Sequence, residues 1–176
     1  MTMDYIFTLK YQLPPHEQDM DALIGRLGEA GCDDALIGIG QPGRLALAFT
    51  REAACAEDAI NSALADVRQA LPTATLIEAT PDLVGLTDAA ELMGMSRQNM
   101  RKLMLANAAT FPPPIHEGSA SIWHLAEILA WMQTRGSYAL KQNLMDISQM
   151  AMRVNVAKEQ TRLAGPAKVE PGVLAW

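Results

Sequence analysis

The stretch Leu86–Leu105, LTDAAELMGMSRQNMRKLML, decides how the second half of this 176-residue chain is read. Thr87 and Asp88 can begin a helix, with Glu91 placed to close a capping box. Ala89, Ala90 and Met93 give that helix a small apolar face. Gly94 suits the left-handed backbone of a tight turn, and Ser96 is a good N-cap for a second helix. On that second helix Met100, Leu103 and Met104 fall on one side, and Arg97, Gln98, Arg101 and Lys102 on the other. Asn99 lies at the edge of the apolar side. Two helices joined by a short turn, the second with a basic and amide face, make the helix-turn-helix pattern.

The residue types on that face suit duplex DNA. Arginine can donate two hydrogen bonds to O6 and N7 of guanine, and glutamine can match N6 and N7 of adenine. Lys102 and one of the arginines can instead hold phosphates, which sets register without reading sequence. Ser96 and the amides of the helix start also suit a phosphate.

Read further, AELMGMSRQNMRKLM followed by ATFPPPIHEGSASIWHLAEILAWM resembles the MerR-like winged helix of AlpA-type phage regulators and excisionases. The matching elements are Gly94-Met95-Ser96, Phe111-Pro112-Pro113-Pro114, Gly118, and Trp123 through Glu127-Ile128 to Trp131, within roughly residues 83–134. The resemblance implies double-stranded DNA binding, with the helix starting at Ser96 in the major groove. It also implies a β-hairpin wing along the neighbouring backbone, with contacts from His116, Ser119 and Ser121. One departure stands out. Family wings often carry arginines, whereas this one reads HEGSAS, with Glu117 and no fixed positive charge. His116 and His124 are the nearby groups that could become cationic, so weaker phosphate attraction is expected there.

Upstream the pattern changes. Tyr5, Phe7, Leu9, Tyr11 and Leu13 alternate with mostly polar residues, the period of a half-buried strand. Met20, Leu23, Ile24 and Leu27 then fall at helical spacing, and Gly31 is a plausible stop. Strands are predicted over 35–39 and 44–50, joined by Gly40-Gln41-Pro42-Gly43, a hairpin signal. A second helix is predicted over 56–71 and a last strand over 75–80. The βαββαβ order is that of a ferredoxin-like domain, four antiparallel strands with two helices on one face. Pro81-Asp82 marks a boundary, and beyond it the periodicity is helical almost throughout.

After Gly136 a long helical pattern runs to about residue 163. Leu140, Leu144, Ile147, Ala151 and Val154 follow alternating steps of four and three, the seam of a coiled coil. Dimerisation through Leu140, Leu144, Ile147 and Val154 is therefore expected, because a dimer can hold two half-sites about 34 Å apart, the alternative being that this helix folds back onto its own winged domain. The end, GPAKVEPGVLAW, reads as a loose tail.

Composition narrows the function classes. Hydrophobic residues make up 49% and charged residues 19%, a globular composition. The formal net charge of -6 is uneven: residues 1–82 hold 13 acids against five bases, and residues 83–136 hold four of each. The acidity thus belongs to the first half, and charge acts on partners through its local field. Cys32 and Cys55 have no CxxC spacing, so no metal site or cofactor is expected and a reducing cytoplasm fits. No run approaches the roughly 20 apolar residues that span a bilayer, and MTMDYIFTLKY does not read as a secretory signal. Gly-rich phosphate loops, GxSxG and HExxH are missing, so the chain is not expected to be an enzyme.

The expected fold class is α+β: a ferredoxin-like domain over 1–81, a winged helix-turn-helix over 82–136, a dimerising C-terminal helix over 137–164 and a tail over 165–176. The expected function is sequence-specific binding of double-stranded DNA in transcriptional control, by a cytoplasmic homodimer. The first domain would then sense a small ligand, bind a partner protein or assist oligomerisation. Two rivals share the same residues: an architectural, excisionase-like DNA binder that bends its site, and an antitoxin-like protein-interaction module without DNA readout.

Overall fold

The computed structural model describes residues 1–164; the tail expected over 165–176 lies outside the described residues. The chain forms a mixed α/β structure whose first half follows the expected βαββαβ order. Strand β1 (Met3–Gln12) buries Tyr5, Phe7, Leu9 and Tyr11 and exposes most of the residues between them. Helix α1 (Met20–Glu29) starts on Asp19, whose carboxylate accepts from the Ala22 amide, and buries Leu23 and Leu27. Gly31 follows it at φ +104°, a backbone state that favours glycine. Strands β2 (Ala35–Gly38) and β3 (Arg44–Ala53) form the hairpin, helix α2 (Ala56–Ala70) follows, and β4 (Thr75–Thr80) completes an antiparallel sheet in the order β2-β3-β1-β4. Phe7 and Phe49 stack on the helical face with ring centroids 5.1 Å apart.

Strand β3 runs three residues beyond its predicted end. The reason is Arg51, which continues the inward positions Leu45, Leu47 and Phe49 and finds polar partners there. Its guanidinium donates to both oxygens of Asp34, to Asp66 Oδ2, Ser62 Oγ and the Gly31 carbonyl, and lies 5.0 Å from the centre of the Phe49 ring. Hydrogen bonding to Asp34 above all, opposed by burial and aided by Asp66, holds this arginine protonated more firmly than usual.

The second half carries its own core. A two-residue strand, β5 (Leu83–Val84), leads into α3 (Leu86–Leu92) and α4 (Arg97–Ala106). A hairpin of β6 (His116–Glu117) and β7 (Ser121–His124) then enters α5 (Leu125–Arg135). The order β5-β7-β6 makes a small antiparallel sheet. Strand β5 departs from the helical periodicity expected beyond Pro81-Asp82, since two residues carry no period of their own. It also moves the start of α3. The helix begins at Leu86 on Gly85, with no side-chain cap, and the Gly85 carbonyl accepts from the Ala89 amide at 3.0 Å. Thr87 and Asp88 therefore lie inside the first turn, and the expected capping box with Glu91 does not form.

Helix α6 (Gln142–Leu163) corrects the dimerisation assignment. Its apolar seam is filled within the chain. Ile147 and Ala151 are buried among the β1–β4 core residues and Val154 packs against them, while Leu140 and Leu144 pack against the second core. The physical cause is coverage: α6 lies beside α2 on the helical face and contacts β1 and β4. Asn155 hydrogen-bonds both backbone groups of Ala79, and the Lys158 ammonium donates to the Ile77 carbonyl, so polar side chains close the otherwise free edge of β4. Among the described residues no helix is long and apolar enough to cross a membrane.

Candidate nucleic-acid interface

The α3–α4 turn is set by backbone bonds. Met95 N donates to Ala90 O at 2.9 Å and Gly94 N to Glu91 O at 3.1 Å, with Gly94 at φ +68°. Ser96 Oγ then accepts from Asn99 N at 3.1 Å and starts α4. Met100 is completely buried, Leu103 and Met104 are half-buried, and these residues anchor α4 to the second core. The opposite face is open. Arg97, Gln98, Arg101 and Lys102 are all exposed. Among the described residues the three cations enter no ion pair.

The hairpin stands across a groove from this face. Ile115 N donates to Ile122 O at 2.7 Å, and His116 pairs with Ile122 and Glu117 with Ser121. The groove has a volume of about 740 Å³ and is lined by Arg97, Arg101 and Met104 on one side and by Pro113, Ser119 and Ser121 on the other. Aromatic packing holds the two walls together. Phe111 meets Trp123 and Trp131 edge-on at 6.1 and 5.0 Å, and Trp123 Nε1 donates to Pro112 O at 3.0 Å. Residues 82–136 match the family model described as prophage CP4-57 regulatory protein (AlpA). No curated protein and no solved structure matches the chain.

The AlpA-like segment thus covers β5 through α5 and leaves out both the β1–β4 module and α6. Within it, the structure sets Arg97 and Arg101 on the groove opposite Ser119 and Ser121, whereas Lys102 borders a smaller groove, Gln98 is exposed on neither, and Ser96 caps the helix start. The far end of α4 is tied down as well. Asn107 Nδ2 donates to Leu103 O at 2.8 Å, Arg135 Nη1 donates to Asn107 Oδ1 at 2.9 Å, and the Arg135 guanidinium lies 4.8 Å from the centre of the Trp131 ring. A helix held at both ends presents its exposed face with little freedom to tilt.

The histidines separate. His116 is exposed, and its imidazole folds over the hairpin turn: a Cβ on Gly118 would sit 2.7 Å from His116 Nε2. His124, read as a nearby cation, points inward instead. Its Nδ1 lies 2.6 Å from Oδ1 of the fully buried Asp82, whose Oδ2 accepts from Asn155 Nδ2 at 2.7 Å. It belongs to the junction between the modules, and the partner that draws it there is remote in sequence.

Two further groups border the site, neither of them among the residues expected to contact DNA. Asn99 is exposed and borders a smaller groove with Lys102 and Tyr138. The helical wheel had set it near the apolar side, but the apolar contact of α4 is narrow enough to leave it free. Asp88 lines the main groove together with Arg97 and Arg101, and its carboxylate reduces the positive field there. The two cysteines have different surroundings. Cys55 is exposed, whereas burial, with Asp66 adding to it, pushes the Cys32 thiol up to about 11.

Proposed function

We propose that the protein binds double-stranded DNA through its AlpA-like segment and acts as a sequence-specific regulator of transcription. Helix α4 enters the major groove, Arg97, Gln98 and Arg101 face base edges, and Lys102 and the Ser96 end of the helix hold phosphates. The β6–β7 hairpin serves as a wing that approaches the backbone through Ser119 and Ser121, with His116 at its tip. We also read the first module as ferredoxin-like, from its chain order and strand order, with a sensing or partner-binding role.

The observation that carries this reading is the exposed row Arg97, Gln98, Arg101 and Lys102, free of ion pairs among the described residues and borne on a helix anchored by Met100. Long donors held outward on a rigid helix suit a groove lined with acceptors. Duplexes selected from a random pool with the purified protein provide the ligand for the test. Arg97→Ala and Gln98→Ala should each cost about 1–3 kcal/mol on the selected site and relax preference at one base pair. Lys102→Ala should weaken all sequences alike and reduce the slope of log K against log salt by about 0.9. Equal affinity of all three variants and the parent for the selected duplex refutes the assignment of α4.

A further inference from the structure

The dimer expected along α6 needs another surface, because that seam is spent inside the chain. One face of the β2-β3-β1-β4 sheet carries α1, α2 and α6; among the described residues no helix packs on the other, and beside β1 and β4 its Ile6, Thr8, Lys10 and Glu78 share a cavity of about 650 Å³ with Asp88, Glu91 and Leu92 of α3. On the open face Ile6 is 67% exposed and Leu36 80% exposed. Between them the side chains are short, with Thr8 paired to Ala48 and Ala48 paired to Leu36 across three adjacent strands.

The charges at the two ends of β1 and β3 on this face follow a pattern with a centre, whereas Lys10, paired with Glu78 at 3.6 Å, lies off it. Asp4 pairs with Glu52 at one end, and Gln12 pairs with Arg44 at the other. Thr8 lies midway along β1 between Asp4 and Gln12, and Ala48 lies midway along β3 between Arg44 and Glu52. All six residues point to the open side, because the alternating residues of both strands are buried on the helical side. A two-fold axis running across the strands through the Leu36–Ala48–Thr8 row therefore lays Arg44 over Glu52 of a second copy. The same rotation lays Gln12 over Asp4 of that copy and Leu36 against Leu36.

We propose that two copies of this chain associate through the open faces of their sheets, about such an axis. Stacked sheets lie about 10 Å apart, and the short side chains along the axis permit that approach. The ends of the patch lie roughly 14 Å from the axis at about 3.4 Å per residue, where arginine and glutamate are long enough to meet across the gap. The acid end of each copy meets the basic end of the other, so opposite charges face each other in this register and like charges face each other in the parallel one. That asymmetry selects the antiparallel dimer. The association does not depend on DNA. It places two AlpA-like segments in one particle, as paired half-sites require.

Sedimentation velocity on the full chain, without DNA, tests this. The parent should sediment as a dimer at micromolar loading and dissociate as salt rises. Arg44→Glu and Glu52→Arg should each raise the dissociation constant at least about tenfold, equivalent to about 1.4 kcal/mol. The double variant Arg44→Glu/Glu52→Arg should regain the parent's dimer, since the exchanged charges face each other again. Circular dichroism on each variant confirms folding, and Ala48→Arg, a bulky side chain on the axis, should give a folded monomer. A monomeric parent overturns the proposal, as does a double variant that stays folded and dissociated. So does a dimer indifferent to all these changes and broken by Val156→Asp, on the outer side of α6.

Discussion

Replacing Asn155 by alanine removes a clamp that joins α6, the edge of β4 and the start of the AlpA-like segment. Asn155 is 8% exposed, and Asp82, which it contacts, is 0% exposed. Its Oδ1 accepts from Ala79 N at 2.8 Å, and its Nδ2 donates to Ala79 O at 2.8 Å and to Asp82 Oδ2 at 2.7 Å. Truncation leaves a backbone donor, a backbone acceptor and one carboxylate oxygen without this partner. An orphaned buried polar group costs about 1–3 kcal/mol. Asp82 keeps His124 as a neighbour, and water can follow the shortened side chain in from the surface, so each group should fall near the lower limit. The expected loss is about 3–4 kcal/mol, a large part of the roughly 5–15 kcal/mol that holds a typical domain together. At about 2–4 °C per kcal/mol for a chain of this size, the midpoint should drop by roughly 10 °C. Urea unfolding followed by far-ultraviolet circular dichroism and by tryptophan fluorescence measures the loss, since Trp123 and Trp131 report on the second core. Lys158→Ala is the control: its ammonium is partly exposed and donates to one carbonyl, so its loss should stay below about 1 kcal/mol. If Asn155→Ala costs no more than that control, the account of the clamp is wrong.

Other outcomes follow from the same structure. Met100→Ala should cost about 2–5 kcal/mol, because a completely buried side chain between α4 and the second core leaves a cavity; thermal melts measure it. Ser96→Ala should cost about 1 kcal/mol of stability through loss of the α4 cap, and fraying of the helix start should appear as faster amide exchange at residues 97–99. Alkaline stability has a defined sign. Burial raises the Cys32 thiol to about 11 and the Tyr11 phenol above its ordinary value, so the folded state favours both neutral forms. The thiol's contribution is complete below its ordinary pKa of about 8.5 and is lost as pH rises towards about 11, and the phenol's begins to be lost only above its ordinary pKa of about 10. Urea midpoints across that range should fall for the parent and fall less steeply for Cys32→Ala. Thiol labelling of the native protein should modify the exposed Cys55 and spare Cys32.

The elements that follow a single period were legible from residues alone. Alternation in Tyr5–Tyr11, helical spacing in Leu23–Leu27, and the Ser96 cap before an amphipathic turn each depend on neighbours a few positions away. The structure departs from the reading where a residue's partner is distant. Arg51 sits in a core-facing strand position because Asp34, in the turn before β2, and Asp66, on α2, converge on it. His124 turns inward to Asp82, which lies on the other side of α3, α4 and the hairpin in sequence. Strand β5 exists only by pairing with β7, so its two residues carry no local signature.

By itself the sequence determined the periods, the caps and turns, and which side of α4 is basic, since short-range sterics and the spacing of apolar residues settle these. Only the tertiary structure decided where each apolar face is buried. The seam of α6 shows why. An amphipathic stripe states that a helix must cover something apolar, and it is the same stripe whether the cover is a second helix, a second copy or the chain's own sheet. The β1–β4 side of the helical face, with the open edge of β4 beside it, was the nearest surface left uncovered, and α6 closed both. The basic face of α4 stayed exposed because its charges found no partner among the described residues and Met100 had already fixed the buried side.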